Sequence, residues 1–189
     1  RNSMHWKAWT ALASPKEKGG MGFRDLDLFN TTLLGKHGWR LMTNPSSLCA
    51  RVLNGRYFPD TDFMHAPIPK SASATWRAIM AGRNALRTGL ISRVGDGSTI
   101  SVWEDKWIPS TVTMSPLLCP ASATVHTVNE LINTDSWTCR RELVRENFIA
   151  PDAAVILNIP LRRGGGEDFL AWAHEKSGIY SIKSVYRTL

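Results

Sequence analysis

Residues 19–43 read GGMGFRDLDLFNTTLLGKHGWRLMT, and the pattern of this stretch decides how the first half of the chain folds. Its glycines open the stretch as a flexible turn, after which Asp25 or Asp27 can cap the start of a helix. Apolar residues then recur at helical spacing, so the pattern predicts a helix over about 28–43.

Four residues of this predicted helix indicate how it packs. Lys36 and Arg40 are four positions apart and therefore share one face, which leaves the leucines to face inward. Gly35 and Gly38 each weaken a helix by about 1 kcal/mol relative to alanine. We therefore expect a neighbouring backbone to lie close to these two glycines.

Two more helices are predicted downstream, over about 47–57 and 75–87, with a loop rich in proline and small residues between them. The first of the two is expected to form a hairpin with the helix before it, because Asn44-Pro45 ends that helix. The stripes expected to be buried are Leu48, Val52, Leu53 and Tyr57 on one helix and Trp76, Ile79, Met80 and Leu86 on the other.

Beyond residue 90 the hydrophobic period changes from that of a helix to that of a strand. Asp96-Gly97 is a turn dipeptide with alternating apolar residues after it, which predicts a β-hairpin over 93–102. A second hairpin is predicted over 169–182, with its turn at Ser177-Gly178.

The segment between these hairpins is predicted to contain little regular structure. Residues 104–124 are rich in proline and are interpreted as an extended linker at a domain boundary. Short helices are predicted around 128–132 and 139–148, and a glycine-rich loop follows through 162–166.

Together these patterns predict an α+β protein that is mainly helical. A helical amino-terminal segment spans residues 1–90, and a small α+β connector segment with two β-hairpins spans residues 91–189. The chain starts at Arg1 and ends at Leu189, in a helix that has barely begun. We therefore expect both ends to be cuts within a longer protein.

The net charge of +7 is concentrated in the middle of the sequence. Residues 28–95 hold nine Lys and Arg against two Asp and Glu, whereas residues 96–189 hold nine against eleven. One sign of charge over such a length favours a polyanionic partner. The alternative is a solvated basic face that has no partner.

No catalytic or metal-binding pattern is complete in the sequence. Gly19-Gly20-Met21-Gly22 lacks the spacing of a phosphate-binding loop, and the histidines are scattered. The acids at 60–62, 104–105 and 167–168 have no apolar strand to hold them rigid and are interpreted as surface acids. The sequence therefore predicts no cofactor, no metal ion and no enzymatic activity for this segment alone.

Cysteine usage and hydropathy bear on the compartment. Cys49, Cys119 and Cys139 are spaced too widely for a disulfide framework or a metal knuckle, so we expect three reduced thiols. No run of about 18 apolar residues and no signal-peptide pattern occurs. These features predict an intracellular protein, cytoplasmic or nuclear, that has no membrane partner.

Tryptophan is unusually frequent, with eight in 189 residues, and Trp39-Arg40 and Trp76-Arg77 place two of them beside arginines in the basic region. Tryptophan beside arginine can stack on nucleic-acid bases. Tryptophan at helical spacing more often fills a core, and we favour the core for each residue. The eight are Trp6, Trp9, Trp39, Trp76, Trp103, Trp107, Trp137 and Trp172.

A series of short motifs runs in order along the whole chain. They are Pro15-Lys16, Gly19-Gly20-Met21-Gly22-Phe23-Arg24-Asp25-Leu26, Trp39-Arg40, Arg56-Tyr57-Phe58-Pro59, Trp76-Arg77, Gly95-Asp96-Gly97, Trp103-Glu104-Asp105-Lys106-Trp107, and Tyr180-Ser181-Ile182-Lys183-Ser184 with Tyr186. On these motifs the chain resembles plant LINE-type non-LTR retrotransposon reverse transcriptases. Met21, Gly35 and Ser92 stand where that family usually has Leu, Ala and Trp, and Ser92 leaves open a decayed genomic copy.

The resemblance implies a position within a longer polymerase. In that family this region follows the palm, whose paired aspartates bind the catalytic metals, and precedes a zinc-binding segment and, in many members, an RNase H domain. The amino-terminal part then resembles a polymerase thumb, and its implied partner is the backbone of an RNA–DNA or DNA duplex. Further implied partners are the neighbouring polymerase and RNase H-like domains.

The function implied is to hold the primer–template duplex through phosphate contacts while the palm of an RNA-directed DNA polymerase extends it. Such contacts position the duplex without reading its sequence. The alternative is a structural spacer whose tryptophan-rich faces pack on the neighbouring domains. The candidate phosphate contacts are Lys36, Arg40, Arg51, Arg56, Arg77, Arg83 and Arg87.

Overall fold

A computed structural model describes residues 7–14, 16–109, 113–120 and 123–189. It divides the chain into two compact units: the first unit is residues 1–88 with 181–189, and the second unit is residues 89–180. Arg1, Trp6 and Pro15 lie outside the described residues.

The described elements are mostly short helices with a few antiparallel strand pairs, which confirms the mainly helical α+β class. The helices are α1 (Trp9–Ala13), α2 (Leu26–Thr43), α3 (Leu48–Tyr57), α4 (Ala74–Ala81), α5 (Arg83–Arg87), α6 (Arg141–Asn147), α7 (Ala150–Ile156) and α8 (Ile182–Thr188). The strands are β1 (Leu90–Arg93), β2 (Ile132–Asn133), β3 (Thr138–Cys139) and β4 (Phe169–Trp172). Single 3-10 turns occur at Lys16–Lys18 and Val128–Leu131.

Local side-chain caps explain where four of these helices begin. The Asp25 carboxylate accepts hydrogen bonds from the backbone N–H groups of Asp27 and Leu28, both at 3.0 Å. The hydroxyls that cap α3, α4 and α8 in the same way belong to Ser47, Ser73 and Ser181. Each cap satisfies backbone donors that the first turn of a helix leaves unpaired. The predicted helices are confirmed, except that the third is divided at Gly82 into α4 and α5.

The glycines of α2 mark its contact with α4 and α5. A Cβ atom on Gly82 would overlap the backbone of Leu34 and Gly35, so the two chains touch at this point. A Cβ on Gly38 would lie 2.8 Å from side-chain atoms of Phe63 and Leu86. The expected close backbone is therefore confirmed at Gly35, whereas the neighbours of Gly38 are side chains.

An aromatic cluster fills the rest of this core. Trp76 is fully buried, with the ring of Tyr57 stacked on it at 4.6 Å and that of Phe58 at 5.4 Å between centroids. The hydroxyl of Tyr57 donates to Ser73 Oγ and accepts from the Ser73 backbone N–H. Since Ser73 also caps α4, this pair joins the end of α3 to the start of α4.

The buried face of α3 differs from the predicted stripe. Ala50 and Tyr57 are buried, whereas Leu48 is 75% and Val52 58% exposed. At 100° per residue, Leu48 and Val52 lie about 160° around the helix from Ala50, on its opposite side. The prediction is confirmed for Tyr57 and wrong for Leu48 and Val52, because the contact of Tyr57 with Trp76 fixes which side of α3 faces inward.

Helix α8 belongs to the first unit, although the sequence had grouped it with the second segment. Its Tyr186 hydroxyl accepts a hydrogen bond of 2.9 Å from the backbone N–H of Asp25. The Tyr186 ring also meets Phe29 edge-on at 6.4 Å. These contacts hold α8 against the first turns of α2.

In the second unit the strands pair differently from the two predicted hairpins. Strand β1 pairs antiparallel with β4, with Leu90 opposite Trp172 and Arg93 opposite Phe169. Each strand was expected to pair with its own neighbour along the chain. Both predicted hairpins are therefore wrong, and the observed pair joins one arm of each. The short hairpin that does form joins β2 to β3.

Asp168 explains this pairing. Its carboxylate accepts hydrogen bonds of 2.7 Å from Gly95 N, 2.9 Å from Gly97 N, and 3.0 and 2.8 Å from the backbone and hydroxyl of Thr99. Partial burial raises the pKa of this carboxyl, but these hydrogen bonds outweigh burial and lower it overall. Asp168 is thus a structural acceptor rather than a solvated surface acid. Asp96 is a turn residue, as predicted, because it accepts from Ser98.

The proline-rich segment 104–124 is not a boundary between units. Trp107 and Ile108 are buried in the core of the second unit, and their backbone N–H groups donate to Met114 O. Residues 110–112 and 121–122 lie outside the described residues. The core of the second unit comprises Ile100, Val102, Trp107, Ile108, Val125, Val128, Leu131, Ile132, Val144, Phe148, Ala153 and Ile156.

Replacing Gly82 with alanine tests the contact between α2 and α4. Gly82 has a helical backbone conformation, so intrinsic propensity alone would make alanine stabilising. Because the new methyl group would overlap the backbone at Gly35, Gly82→Ala should instead lower the free energy of unfolding by about 1–3 kcal/mol. Urea unfolding measures this change. Gly55→Ala, which points into open space on α3, is the control and should be neutral or stabilising. Equal stability of the two variants would contradict the contact.

Replacing Asp168 with asparagine tests the loop contact. Because its folded-state pKa is lowered, the carboxylate stabilises the fold above about pH 4, and this contribution is lost as the pH falls through the folded pKa. Asp168→Asn should therefore lower the free energy of unfolding by about 2 kcal/mol at pH 7. The deficit should shrink in unfolding measurements near pH 3. The exposed Asp135 supplies the control, Asp135→Asn, and an equal effect of the two changes would refute the role of Asp168.

Candidate nucleic-acid interface

The two units differ in charge. Residues 1–88 and 181–189 hold fifteen Lys and Arg against five Asp and Glu, whereas residues 89–180 hold eight against eleven. The first unit therefore carries a net charge of +10 and the second −3. The difference in net charge between the two units is therefore larger than the sequence order suggests, because the last helix adds two cations and no acid to the first unit.

Lys36 and Arg40 lie on the side of α2 that faces away from its glycine contact. At 100° per residue, their midpoint is about 150° around the helix from the midpoint of Gly35 and Gly38. Arg40 is exposed and Lys36 is partly exposed. Within the described part of the chain, neither side chain has a hydrogen bond or an ion pair. Both charges are therefore available to a ligand.

Arg51 and Arg56 are exposed on α3. They are five positions apart, so about 140° of helix rotation separates them and they occupy different faces. The Arg56 guanidinium lies 5.4 Å from the centroid of the Tyr57 ring, a cation–π contact that orients it without neutralising its charge. These two arginines can contact phosphate, but they do not form one patch on α3.

The remaining three candidates hold the loop between α3 and α4. Arg83 donates to the backbone oxygens of Met64 at 3.2 Å and Ala66 at 2.7 Å, and Arg87 also donates to Met64 O at 3.2 Å. Arg77 donates to Lys70 O at 2.6 Å. Burial, together with the charge of Arg87, lowers the pKa of Arg83, yet an arginine stays protonated at neutral pH. These arginines therefore have structural roles in addition to their charge.

Several exposed cations of the first unit were missed by the sequence analysis. Lys183 and Arg187 lie one turn apart on α8, which packs against α2. No local pattern in the sequence indicates that the last helix returns to the basic unit. The spacing of four residues between these two cations was the one feature of the sequence that could have identified them as a pair on one helix face. Other exposed cations near the amino terminus are Lys7, Lys16, Lys18 and Arg24.

The tryptophans beside arginines do not form stacking sites. Trp39 is 8% exposed and Trp76 is fully buried, so neither ring can meet a base. Trp107 and Trp172 are also buried, which confirms the interpretation of these residues as core. Trp103 and Trp137 are partly buried against the core of the second unit, whereas Trp9 has 44% of its surface exposed.

Among the described residues, no group of three His, Cys, Asp or Glu side chains is arranged to hold a metal ion. The described cysteines are free thiols, as predicted, and burial raises the pKa of Cys139. His65 and Asp62 form an exposed pair with 2.7 Å between Nδ1 and Oδ2. No helix among the described residues has the length and apolarity needed to cross a membrane.

The motif residues instead build the fold. Tyr57 and Ser73 connect α3 to α4, and Tyr186 connects α8 to α2. Trp107 Nε1 donates to Val102 O, and Trp103 Nε1 donates to Val125 O. What the described arrangement offers chemically is therefore a helical support with exposed cations, which can bind a polyanion.

Two proteins of Arabidopsis thaliana are similar to the chain. A putative ribonuclease H protein, At1g65750, is 29% identical to it along its whole length, but the chain spans only 31% of that protein. The uncharacterized mitochondrial protein AtMg00310 is 40% identical over 118 residues, which are 62% of this chain and 77% of the relative. No protein-family profile matches the chain, and no solved structure matches it. The chain belongs to the same family as AtMg00310.

Proposed function

We propose that the first unit is a non-catalytic segment of a LINE-type RNA-directed DNA polymerase and holds the primer–template duplex through its phosphates. Lys36 and Arg40 on α2 make the central contacts, with Arg51, Arg56 and the α8 cations around them. The contacts are electrostatic and carry no base specificity. The parent protein supplies the catalytic groups from its other domains.

The separation of charge between the two units carries this proposal. A surface whose net charge is far from zero repels itself, and soluble domains ordinarily intersperse the two signs. The first unit departs from this pattern, while the second unit of the same chain does not. A general need for solubility would act on both units, whereas binding to a polyanion accounts for the difference between them.

One of the two relatives supports a parent that handles RNA–DNA duplexes. A ribonuclease H cleaves RNA that is paired with DNA, and one relative carries that name over a length about three times that of this chain. The motifs of the LINE-type resemblance run through both units. In this proposal the second unit connects the duplex-holding unit to the domains that follow it.

The alternative function, a structural spacer, is favoured by one observation. Leu48 and Val52 form an exposed apolar face on α3, with 75% and 58% of their surfaces accessible. Two adjacent aliphatic side chains at these exposures are suited to a contact with a neighbouring domain. A spacer, however, needs no excess of cations in one unit.

The salt dependence of duplex binding tests the proposal. Each phosphate that a cation neutralises contributes about −0.9 to the slope of log affinity against log salt on duplex DNA. If four to six cations engage, the slope should be roughly −4 to −5, with little dependence on base sequence. Reversing two charges by Lys36→Glu with Arg40→Glu should make the slope shallower, moving it about two units closer to zero.

A matched control lies in the second unit. Arg141 and Arg145 are also exposed, four residues apart on one helix, so their reversal to Glu changes the net charge by the same amount. It should leave the slope nearly unchanged. Equal effects of the two double variants would mean that diffuse net charge governs binding, and a slope near zero for the wild type would favour the spacer. Arg83 and Arg87 are unsuitable for this test, because changing them would release the loop that they hold.

A further inference from the structure

The exposed Trp9 forms a stacked pair with a second exposed ring. Trp9 and Phe23 are 5.7 Å apart between centroids and 15° from parallel. Trp9 retains 44% of its surface and Phe23 45%. Two rings that cover each other on one face and remain about half exposed offer their other faces to a flat ligand.

Backbone contacts hold this pair in place. Met21 N donates to Leu12 O and Gly22 N donates to Ser14 O, both at 3.0 Å, which ties the segment carrying Phe23 to the end of α1. Gly22 has a φ of +69°, a conformation that other residues rarely adopt, and the chain needs it to turn toward Phe23. A turn held by backbone hydrogen bonds therefore positions the two rings, although they lie outside the core of the first unit.

The segment that carries the pair is basic. Residues 7–26 contain four Lys and Arg against two acids. The cations Lys7, Lys16, Lys18 and Arg24 are all exposed. One of the acids, Asp25, is engaged with backbone N–H groups at the start of α2. A planar ligand that carries negative charge complements this combination, whereas an apolar protein surface does not.

We propose that Trp9 and Phe23 form a stacking platform for unpaired bases of a nucleic-acid strand, with the nearby cations on its phosphates. Aromatic rings stack on any base, so the platform would not select a sequence. This inference rests on the proposed duplex binding and adds a second site on the same unit. The first unit would then hold the duplex and also the single strand that extends from it.

The test compares the affinity of the whole chain for a blunt duplex with its affinity for the same duplex carrying a single-stranded overhang of about six nucleotides. The wild type should bind the overhang duplex at least about fivefold more tightly, given the usual strength of base stacking on an aromatic side chain. The double variant Trp9→Ala with Phe23→Ala should lose this preference and keep its affinity for the blunt duplex. Trp9→Phe, which retains a ring, should keep most of the preference.

Met21→Ala is the matched control, because Met21 lies in the same turn with 58% of its surface exposed but has no ring. It should leave the preference intact. Equal wild-type affinity for both duplexes would overturn the platform and leave duplex binding standing. Loss of the preference in Met21→Ala as well would also overturn it, since any apolar contact would then suffice. Failure to bind the blunt duplex, with single-strand binding that still requires Trp9, would overturn the proposed function and support the platform.

Discussion

The first unit depends on the contact between the backbones of Gly35 and Gly82. Two glycines cost α2 about 2 kcal/mol of helix propensity together, and the close packing on α4 and α5 offsets that loss. Because Phe63 and Leu86 then fill the space beside Gly38, the orientation of α2 about its own axis is fixed. The opposite side of the helix, with Lys36 and Arg40, must face outward. The position of the candidate contacts thus follows from the packing.

The cations of the first unit divide into two groups that look alike in the sequence. Arg77, Arg83 and Arg87 donate to backbone oxygens of the loop before α4, so their removal would disturb the fold as well as the charge. Lys36 and Arg40 have no such partners among the described residues, and the cost of freeing them for a phosphate is small. A surface of this second kind suits a ligand that must move through its site, because nonspecific phosphate contacts allow sliding.

The sequence predicted well what is decided locally. The starts of α2, α3 and α4 follow from Asp25, Ser47 and Ser73, each a side chain that caps the turn next to it. What distant residues decide was missed. Strand β1 pairs with β4 because Asp168 binds the 95–99 loop from about 70 positions away. Likewise Leu48 and Val52 have the spacing of a buried stripe, but the Trp76 ring on which Tyr57 stacks lies on another helix, α4. The excess of positive charge at the candidate site can be counted in the sequence. Only the folded chain shows which arginines hold the loop before α4 and that the α8 cations join the first unit.

Lysine footprinting of the whole chain, free and bound to an RNA–DNA duplex, is the most direct test of binding by the first unit. Acetylation read by mass spectrometry reports each lysine separately, and Lys36 and Lys183 lie on the two helices at issue. Lys176 is exposed in the second unit and serves as an internal reference. We expect the duplex to protect Lys36 and Lys183 from acetylation at low salt. This protection should disappear as the salt concentration is raised, and the reactivity of Lys176 should not change. Protection of Lys176 alone, or equal reactivity of all three lysines at saturating duplex, would contradict binding by the first unit.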